Sequence, residues 1–380
     1  MMKISVPKET HPGETRAPLT PDSTARLVKL GAQVQVEVGL GAGAGFPDDA
    51  YATAGATVTG DRKSLLSSAD FVLRLRKPPI DEIALLKSGS VHASLLDPFN
   101  EMVLIRTLAQ HGVSAISMEF IPRITRAQKL DVLSSQANLA GYEAVILGAR
   151  YSNKIFPMMT TAAGTILPAK VFIIGVGVAG LQAIATAKRL GAKVTAYDTR
   201  PVVEEQVKSL GAQFLKIDLG ETGQTSQGYA KALTEQQLQM QRDAMKKVCS
   251  DSDVVIAAAQ VFGRRAPILI TAEMLAAMKP GSVVVDLAIE SGGNVEGAVL
   301  DQVTDCNGVK IVGISNLPGR VPQHASQVYS ANLTSLIEEF WDKNNKSFIL
   351  KRDDEIIKAC LVTYGGEIVN EKLVNMANEG

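Results

Sequence analysis

The sequence predicts an α/β protein built as two doubly wound parallel-sheet domains. Three observations predict it. A strand, a G-x-G-x-x-G run, a helix and a second strand ending in an acid follow one another between residues 170 and 198. The tripeptide Leu-Gly-Ala recurs at Leu30, Leu190 and Leu210, each time between a helical pattern and a strand-like run. Short β-branched runs alternate with helical patterns through the first 120 residues and again from about residue 140. Such alternation winds helices over both faces of a parallel sheet. Glycine just past a helix takes the left-handed conformation cheaply and turns the chain into the sheet.

In the first domain, strands are expected at 3–6, 34–38, 71–75, 91–95 and 113–118, with helices between them. Gly39, Gly41, Gly43 and Gly45 follow the second strand and imitate a phosphate loop. The helix after them starts at Pro47-Asp48-Asp49, and those carboxylates would occupy the dipole position that a phosphate needs. That loop is therefore read as structural. Residues 127–151 place Leu130, Leu133, Leu139, Val145 and Ile146 at helical spacing, predicting a helix that bridges the domains.

The second domain carries the fingerprint on its first strand, 171–174. The others are expected at 194–197, 214–216, 254–258, 283–286 and 310–312. Gly175 permits the tight turn, Gly177 lets backbone approach a pyrophosphate, and Gly180 lets helix and strand pack closely. A helix over 179–190, starting at Ala179 just after Val178, presents free N–H groups and a positive dipole end to the phosphates. Asp198 stands 23 residues after Gly175, placed to accept from adenosine ribose hydroxyls. Thr199 and Arg200 follow it. This is a Rossmann-like dinucleotide site, with the ligand expected in a cleft between the domains. The stretch GETGQTSQG at 220–228 is polar and glycine-rich, a mobile-loop candidate that ends beside Tyr229. A segment over 325–341 is expected to be helical and to return to the first domain. The organisation is thus 1–135 plus 320–380, and 136–319.

Composition removes several function classes. Lys+Arg and Asp+Glu are both 39, so no global field draws nucleic acid or an anionic membrane. No apolar run is long enough to span a bilayer, and the N-terminus lacks the apolar core of a secretory signal. Cys249, Cys306 and Cys360 are far apart, as are His11, His92, His111 and His324. Neither a disulfide framework nor a metal site is expected.

The opening PKETHPGETRAPLTP, the segment PRITRAQKLDVLSSQANLAGY and the fingerprint followed by AYDTRP carry a resemblance. The chain resembles the NAD(H)-binding component, domain I, of proton-translocating nicotinamide nucleotide transhydrogenases, over essentially its whole length. Alanine dehydrogenase is similar in architecture and shares the opening pattern. The second segment discriminates between them. The resemblance implies that Arg123, Gln128, Asp131 and Ser134 lie beside the nicotinamide and its ribose, with Asp131 and Ser134 on one helical face. It implies that Asp198 takes the adenosine ribose, that Gly228, Gln241 and Gln260 contact the cofactor, and that Tyr229 belongs to a mobile loop. Arg123, Asp131, Ser134 and Tyr229 are the residues expected to act on the reacting ring. Two departures stand out. The family's proline–glycine–lysine–proline run is replaced by VFGRRAP at 261–267, and some relatives carry histidine where this chain has Ser94. His92 is two residues away, on the same strand face.

Two chemistries then compete. Hydride passage between two nicotinamide rings needs alignment and exclusion of water, and no general acid or base. Alanine oxidation needs a proton-transfer histidine and a lysine for the substrate carbonyl. Lys77 and Arg16 could serve the latter, but the histidine is out of register. Transhydrogenation is the preferred reading, alanine dehydrogenase the runner-up, and an NAD(H)-sensing module a third. The preferred reading implies NAD(H) bound here and NADP(H) on a partner subunit. It implies a homodimer that docks on membrane-spanning partners, cytoplasmic and peripheral to the inner membrane, with no insertion of its own.

Overall fold

The computed structural model describes residues 1–218, 220, 234–260 and 262–379. The chain divides into two compact units, Met1–Gln136 with Gly319–Gly380, and Ala137–Pro318.

In the first unit, β1 (Lys3–Val6), β2 (Gln33–Glu37), β3 (Thr57–Thr59), β4 (Phe71–Leu73), β5 (Val91–Ser94) and β6 (Ser114–Ser117) form one parallel sheet. Its order is β3-β2-β1-β4-β5-β6. Five of these strands match expected runs. The edge strand β3 has no counterpart among them. Phe71, Val72 and Leu73 of β4 are all fully buried, because a parallel strand covered on both faces has no solvent side. The helix Pro322–Glu339 belongs to this unit and is buried along most of its length.

The first strands of the second unit form a hairpin, β7 (Met159–Thr161) and β8 (Gly164–Ile166), whose residues are exposed. Then come β9 (Lys170–Ile174), β10 (Lys193–Tyr197), β11 (Gln213–Phe214), β12 (Val254–Ala257), β13 (Val283–Asp286), β14 (Val303–Cys306) and β15 (Val309–Val312). The sheet order is β11-β10-β9-β12-β13-β15-β14, parallel except for β14. Alternate residues feed two cores. Val171, Ile173, Val254, Ile256, Val283 and Val285 face one side. Phe172, Ile174, Val255, Ala257 and Val284 face the other. The strand order reverses between β9 and β12, and the crevice at the carboxyl ends of those strands is where such sheets take dinucleotides. Gly31, Gly191 and Gly211, the three Leu-Gly-Ala glycines, have φ of +96°, +89° and +74°.

The predicted bridging helix is broken. Thr125–Leu130 is a 3₁₀ turn, and the α-helix runs over Val132–Tyr151. Asp131, at φ −75° and ψ 90°, is the extended residue between them. It is therefore not on a helical face with Ser134, as the spacing suggests. Among the described residues, no helix is long and apolar enough to cross a membrane.

Candidate nucleotide-binding site

The strand β9 delivers the chain to Gly175, at φ +92°. A Cβ there would lie 2.9 Å from the Ala258 carbonyl and the Ala259 nitrogen, so the turn presses against the end of β12. The helix Val178–Arg189 follows, with Gly177 as its N-cap in extended geometry. A Cβ on Gly180 would fall 2.0 Å from the Gly175 carbonyl oxygen. Only a hydrogen fits between this helix and the turn that launches it. A second close approach is not visible in the sequence. Gly141, on the helix Val132–Tyr151, would place a Cβ 2.1 Å from the Ala179 carbonyl oxygen. The two helices thus cross backbone to backbone at the fingerprint's first turn.

Gly177 differs from these. It is exposed, and a Cβ on it would meet nothing within 4 Å. No packing among the described residues demands glycine there. An open approach beside a helix start, whose first N–H groups have no intrahelical acceptors, fits a phosphate-bearing ligand.

Asp198 sits just beyond β10 and is already engaged. Its Oδ2 accepts from the Val176 N–H at 2.8 Å and from Arg200 Nη2 at 2.8 Å. Its Oδ1 accepts from the Arg200 N–H and Nε, both at 2.9 Å. Arg200 Nη2 also donates to the Val176 carbonyl at 3.1 Å. The hydrogen bonds to Asp198 raise the Arg200 pKa further, outweighing partial burial. A carboxylate has roughly four acceptor positions, and the Val176 and Arg200 donors occupy four here. Thr199, between them, is half-buried.

Beyond the end of β12, the exposed Gln260 donates from Nε2 to Ser291 Oγ at 3.2 Å. Gln241 lies on the helix Glu235–Asp251, 3% exposed, and its Oε1 has no hydrogen-bond partner among the described residues. Its Nε2 lies 4.0 Å from the Met245 sulfur. An orphaned buried amide oxygen is costly to keep. Gly228 and Tyr229 lie outside the described residues.

In the first unit, Asp131 caps the helix Val132–Tyr151. Its Oδ1 accepts the Ser134 N–H at 2.9 Å, and its Oδ2 accepts the Ser134 hydroxyl at 2.6 Å. Arg123 and Gln128 are exposed nearby in sequence, before and within the 3₁₀ turn.

Both segments of the chain match family models. The model described as "Alanine dehydrogenase/PNT, N-terminal domain" matches residues 5–140, and "Alanine dehydrogenase/PNT, C-terminal domain" matches residues 144–371. The chain belongs to the alanine dehydrogenase/PNT family. Within that family it is 45% identical, over 379 residues, to the first of the chains that make up NAD(P) transhydrogenase subunit alpha in Rhodospirillum rubrum, covering 98% of this chain and 99% of the relative. The alanine dehydrogenase of Bacillus subtilis (strain 168) is 31% identical over 381 residues, covering 97% and 93%. A solved transhydrogenase structure from Sinorhizobium meliloti superposes with a TM-score of 0.85 at 42% identity, covering 98% of this chain and all of that one. The resemblance read from the three motifs is thus borne out, and the chain is similar to a transhydrogenase component.

The residues that alanine chemistry would need are placed against it. His92 is fully buried, its Nε2 is 3.0 Å from Ser94 Oγ, and its Nδ1 has no partner among the described residues. Burial first, and then the charge of Arg74, push its pKa down to about 3. It is neutral at any working pH and shielded from solvent. The Arg16 guanidinium is taken by Glu14 at 2.7 Å on two nitrogens and by Gln136 Oε1 at 2.7 Å. Lys77 pairs with Glu101 and lies 4.0 Å from Asp97. Each of the three side chains is thus buried or paired within the protein.

Proposed function

We propose that this chain is the NAD(H)-binding component of a proton-translocating nicotinamide nucleotide transhydrogenase, passing hydride between NADH and NADP⁺ held by a partner subunit. End-to-end similarity to a transhydrogenase α-subunit chain, at 45% against 31% for an alanine dehydrogenase, carries the reading. The buried, neutral His92 supports it, since this reaction moves no proton at the reacting carbon. A homodimer that docks, from the cytoplasmic side, on NADP(H)-binding and membrane-spanning subunits completes the proposal.

When bound, the nicotinamide supplies the hydride chemistry. The chain's role is to bind, orient and exclude water. Gly175, Gly177, Val178, Ala179 and Gly180 would hold the pyrophosphate. Asp198, with Thr199 and Arg200 beside it, would take the adenosine ribose. Arg123, Gln128, Asp131 and Ser134 would meet the nicotinamide end. Gly228, Tyr229, Gln241 and Gln260 are proposed as further contacts. Asp131 then has two duties: it caps a helix and it offers a fixed carboxylate.

The test is a substrate panel on the pure chain. No alanine-dependent NAD reduction is expected, and no NADH oxidation by pyruvate with ammonium. Adding a subunit that carries NADP(H) should switch on hydride transfer. Robust alanine oxidation by the isolated chain would install the runner-up instead.

Cofactor choice gives a second expected result. Asp198→Ala should weaken NADH. Arg200→Ala should raise the preference for NADH over NADPH by about tenfold, because an unpaired carboxylate repels a 2′-phosphate. Dissociation constants for both nucleotides at one salt concentration decide it. Tighter NADPH binding by Arg200→Ala would show that the arginine does not shield the acid from phosphate.

A further inference from the structure

Beyond β12 the chain makes a loop that hangs on two fully buried side chains. Asp286, the last residue of β13, accepts from the Ala288 N–H at 2.9 Å, the Asn294 N–H at 2.8 Å and the Val295 N–H at 3.0 Å. It thereby curls residues 287–295 back over the end of its own strand. The curl is tight. Gly293 has φ +80°, and a Cβ on it would meet Asp286 Oδ2 at 2.9 Å. Asn294 is presented on the inner side of this curl with no solvent exposure.

Its amide then reaches across to the neighbouring strand's loop. Nδ2 donates to the Ala259 carbonyl at 2.9 Å and to the Pro267 carbonyl at 2.8 Å. Oδ1 accepts the Ala259 N–H at 3.1 Å. Both side-chain atoms are satisfied, and both polar groups of Ala259 are used. Two main-chain bonds reinforce the clasp: the Leu269 and Ile270 N–H groups donate to the Asn294 carbonyl at 2.8 and 3.0 Å. Ala259 is the residue against which Gly175 is pressed, and Gln260 is next to it. The wall of the crevice on the β12 side is therefore set by one buried amide.

We propose that Asn294, held by Asp286, is the positioning residue for the nucleotide half of the site opposite the fingerprint. This rests on the reading that a dinucleotide binds at Gly175–Gly180. A doubly wound sheet divides such a ligand between its two halves. The adenosine half belongs to β9, β10 and Asp198, and the second nucleotide to β12 and β13. Asn294 touches neither half. It fixes the Ala259–Gln260 backbone that the second nucleotide must pass, and small misplacements at such a wall are costly to orientation.

The test compares NADH with AMP on the full chain carrying Asn294→Ala or Asn294→Asp. The aspartate keeps the shape and the acceptor for the Ala259 N–H while losing both donated bonds, so it covers the case in which alanine fails to fold. NADH binding should fall about tenfold while AMP binding stays within about twofold. Parallel losses for the two ligands, or no loss for either, would show an ordinary structural residue and overturn the proposal. The parent chain is titrated first. If it binds neither NADH nor AMP, the underlying reading of the site fails, and that result is distinct from an unaffected variant.

Discussion

Gly180→Ala should cost the second unit much of its stability, while Gly177→Ala should leave stability alone and cost the nucleotide. The two glycines belong to one motif and are three residues apart, yet they face opposite surroundings. At Gly180 a Cβ would stand 2.0 Å from the Gly175 carbonyl oxygen and 3.0 Å from its carbon. Those are backbone atoms at the launch of the helix, so no side chain can swing aside. Relief requires the helix Val178–Arg189 to lift from β9, loosening Ala183, Ile184 and Ala187 in the core. Overpacking of this kind typically costs about 1–3 kcal/mol and more where backbone must move. For a domain of this size that lowers the melting midpoint by several degrees, at roughly 2–4 °C per kcal/mol. At Gly177, φ −84° and ψ −165° are open to alanine, and the added methyl meets nothing within 4 Å. Its melting midpoint should match the parent's. NADH affinity should nevertheless drop ~10-fold or more, since the methyl fills the space through which backbone nears a phosphate. Thermal melting and NADH titration on the two variants are enough. Parent-like NADH binding by Gly177→Ala would remove the phosphate cradle from the proposal. An undiminished midpoint for Gly180→Ala would show that the helix can shift freely.

The same contrast explains what the sequence could and could not disclose. Buried parallel strands announce themselves by short runs that carry valine and isoleucine. Val283–Asp286 and Lys3–Val6 are found at their expected bounds. The edge strands Thr57–Thr59 and Val303–Cys306 escape such reading, being short and partly solvated. One sign is present for the second of them. Asn307-Gly308, both at positive φ, is the dipeptide that two-residue hairpin turns favour. The fingerprint is legible because its glycines answer to local backbone geometry. The long-range partners of site residues are not. Nothing in AYDTRP says that Arg200 folds back onto Asp198, nor that Asn294 secures Ala259 across 35 residues. Asp131 and Ser134 do pair, but their spacing suggests a helical face where the structure has a cap. The opening motif reads as a sign of chemistry. Its Glu9 accepts the Leu75 N–H at 2.6 Å, and its Glu14 and Arg16 bind one another, so much of its content is structural.

That last observation leads to the other large effect. Glu14→Gln should destabilise the first unit by about 3–5 kcal/mol, the usual consequence of stripping one partner from a buried charge cluster. The Glu14 side chain has no solvent exposure, and that of Arg16 has only 3%. Oε1 accepts from the Arg16 N–H at 3.1 Å and from Arg16 Nε at 2.7 Å. Oε2 accepts from Arg16 Nη2 at 2.7 Å and Arg76 Nε at 2.8 Å. One carboxylate thus accepts from two arginines, and glutamine keeps its shape while taking the negative charge away from both. Burial alone would raise the Glu14 pKa, but the hydrogen bonds and charges of Arg16 and Arg76 overrule it and hold it at about 2. The sign of the pH dependence follows. The folded value lies below the ordinary 4.5, so the acid binds its proton more readily in the unfolded chain. Its stabilisation is complete above about pH 4.5 and is lost as pH falls toward 2. The gap between parent and Glu14→Gln should therefore be widest near neutrality and should close in acid. Melting midpoints at pH 7, 5 and 3.5 measure that gap directly. A gap that stays constant across this range would mean that the carboxylate's charge contributes nothing to holding Arg16 and Arg76, and that glutamine's loss is one of packing alone.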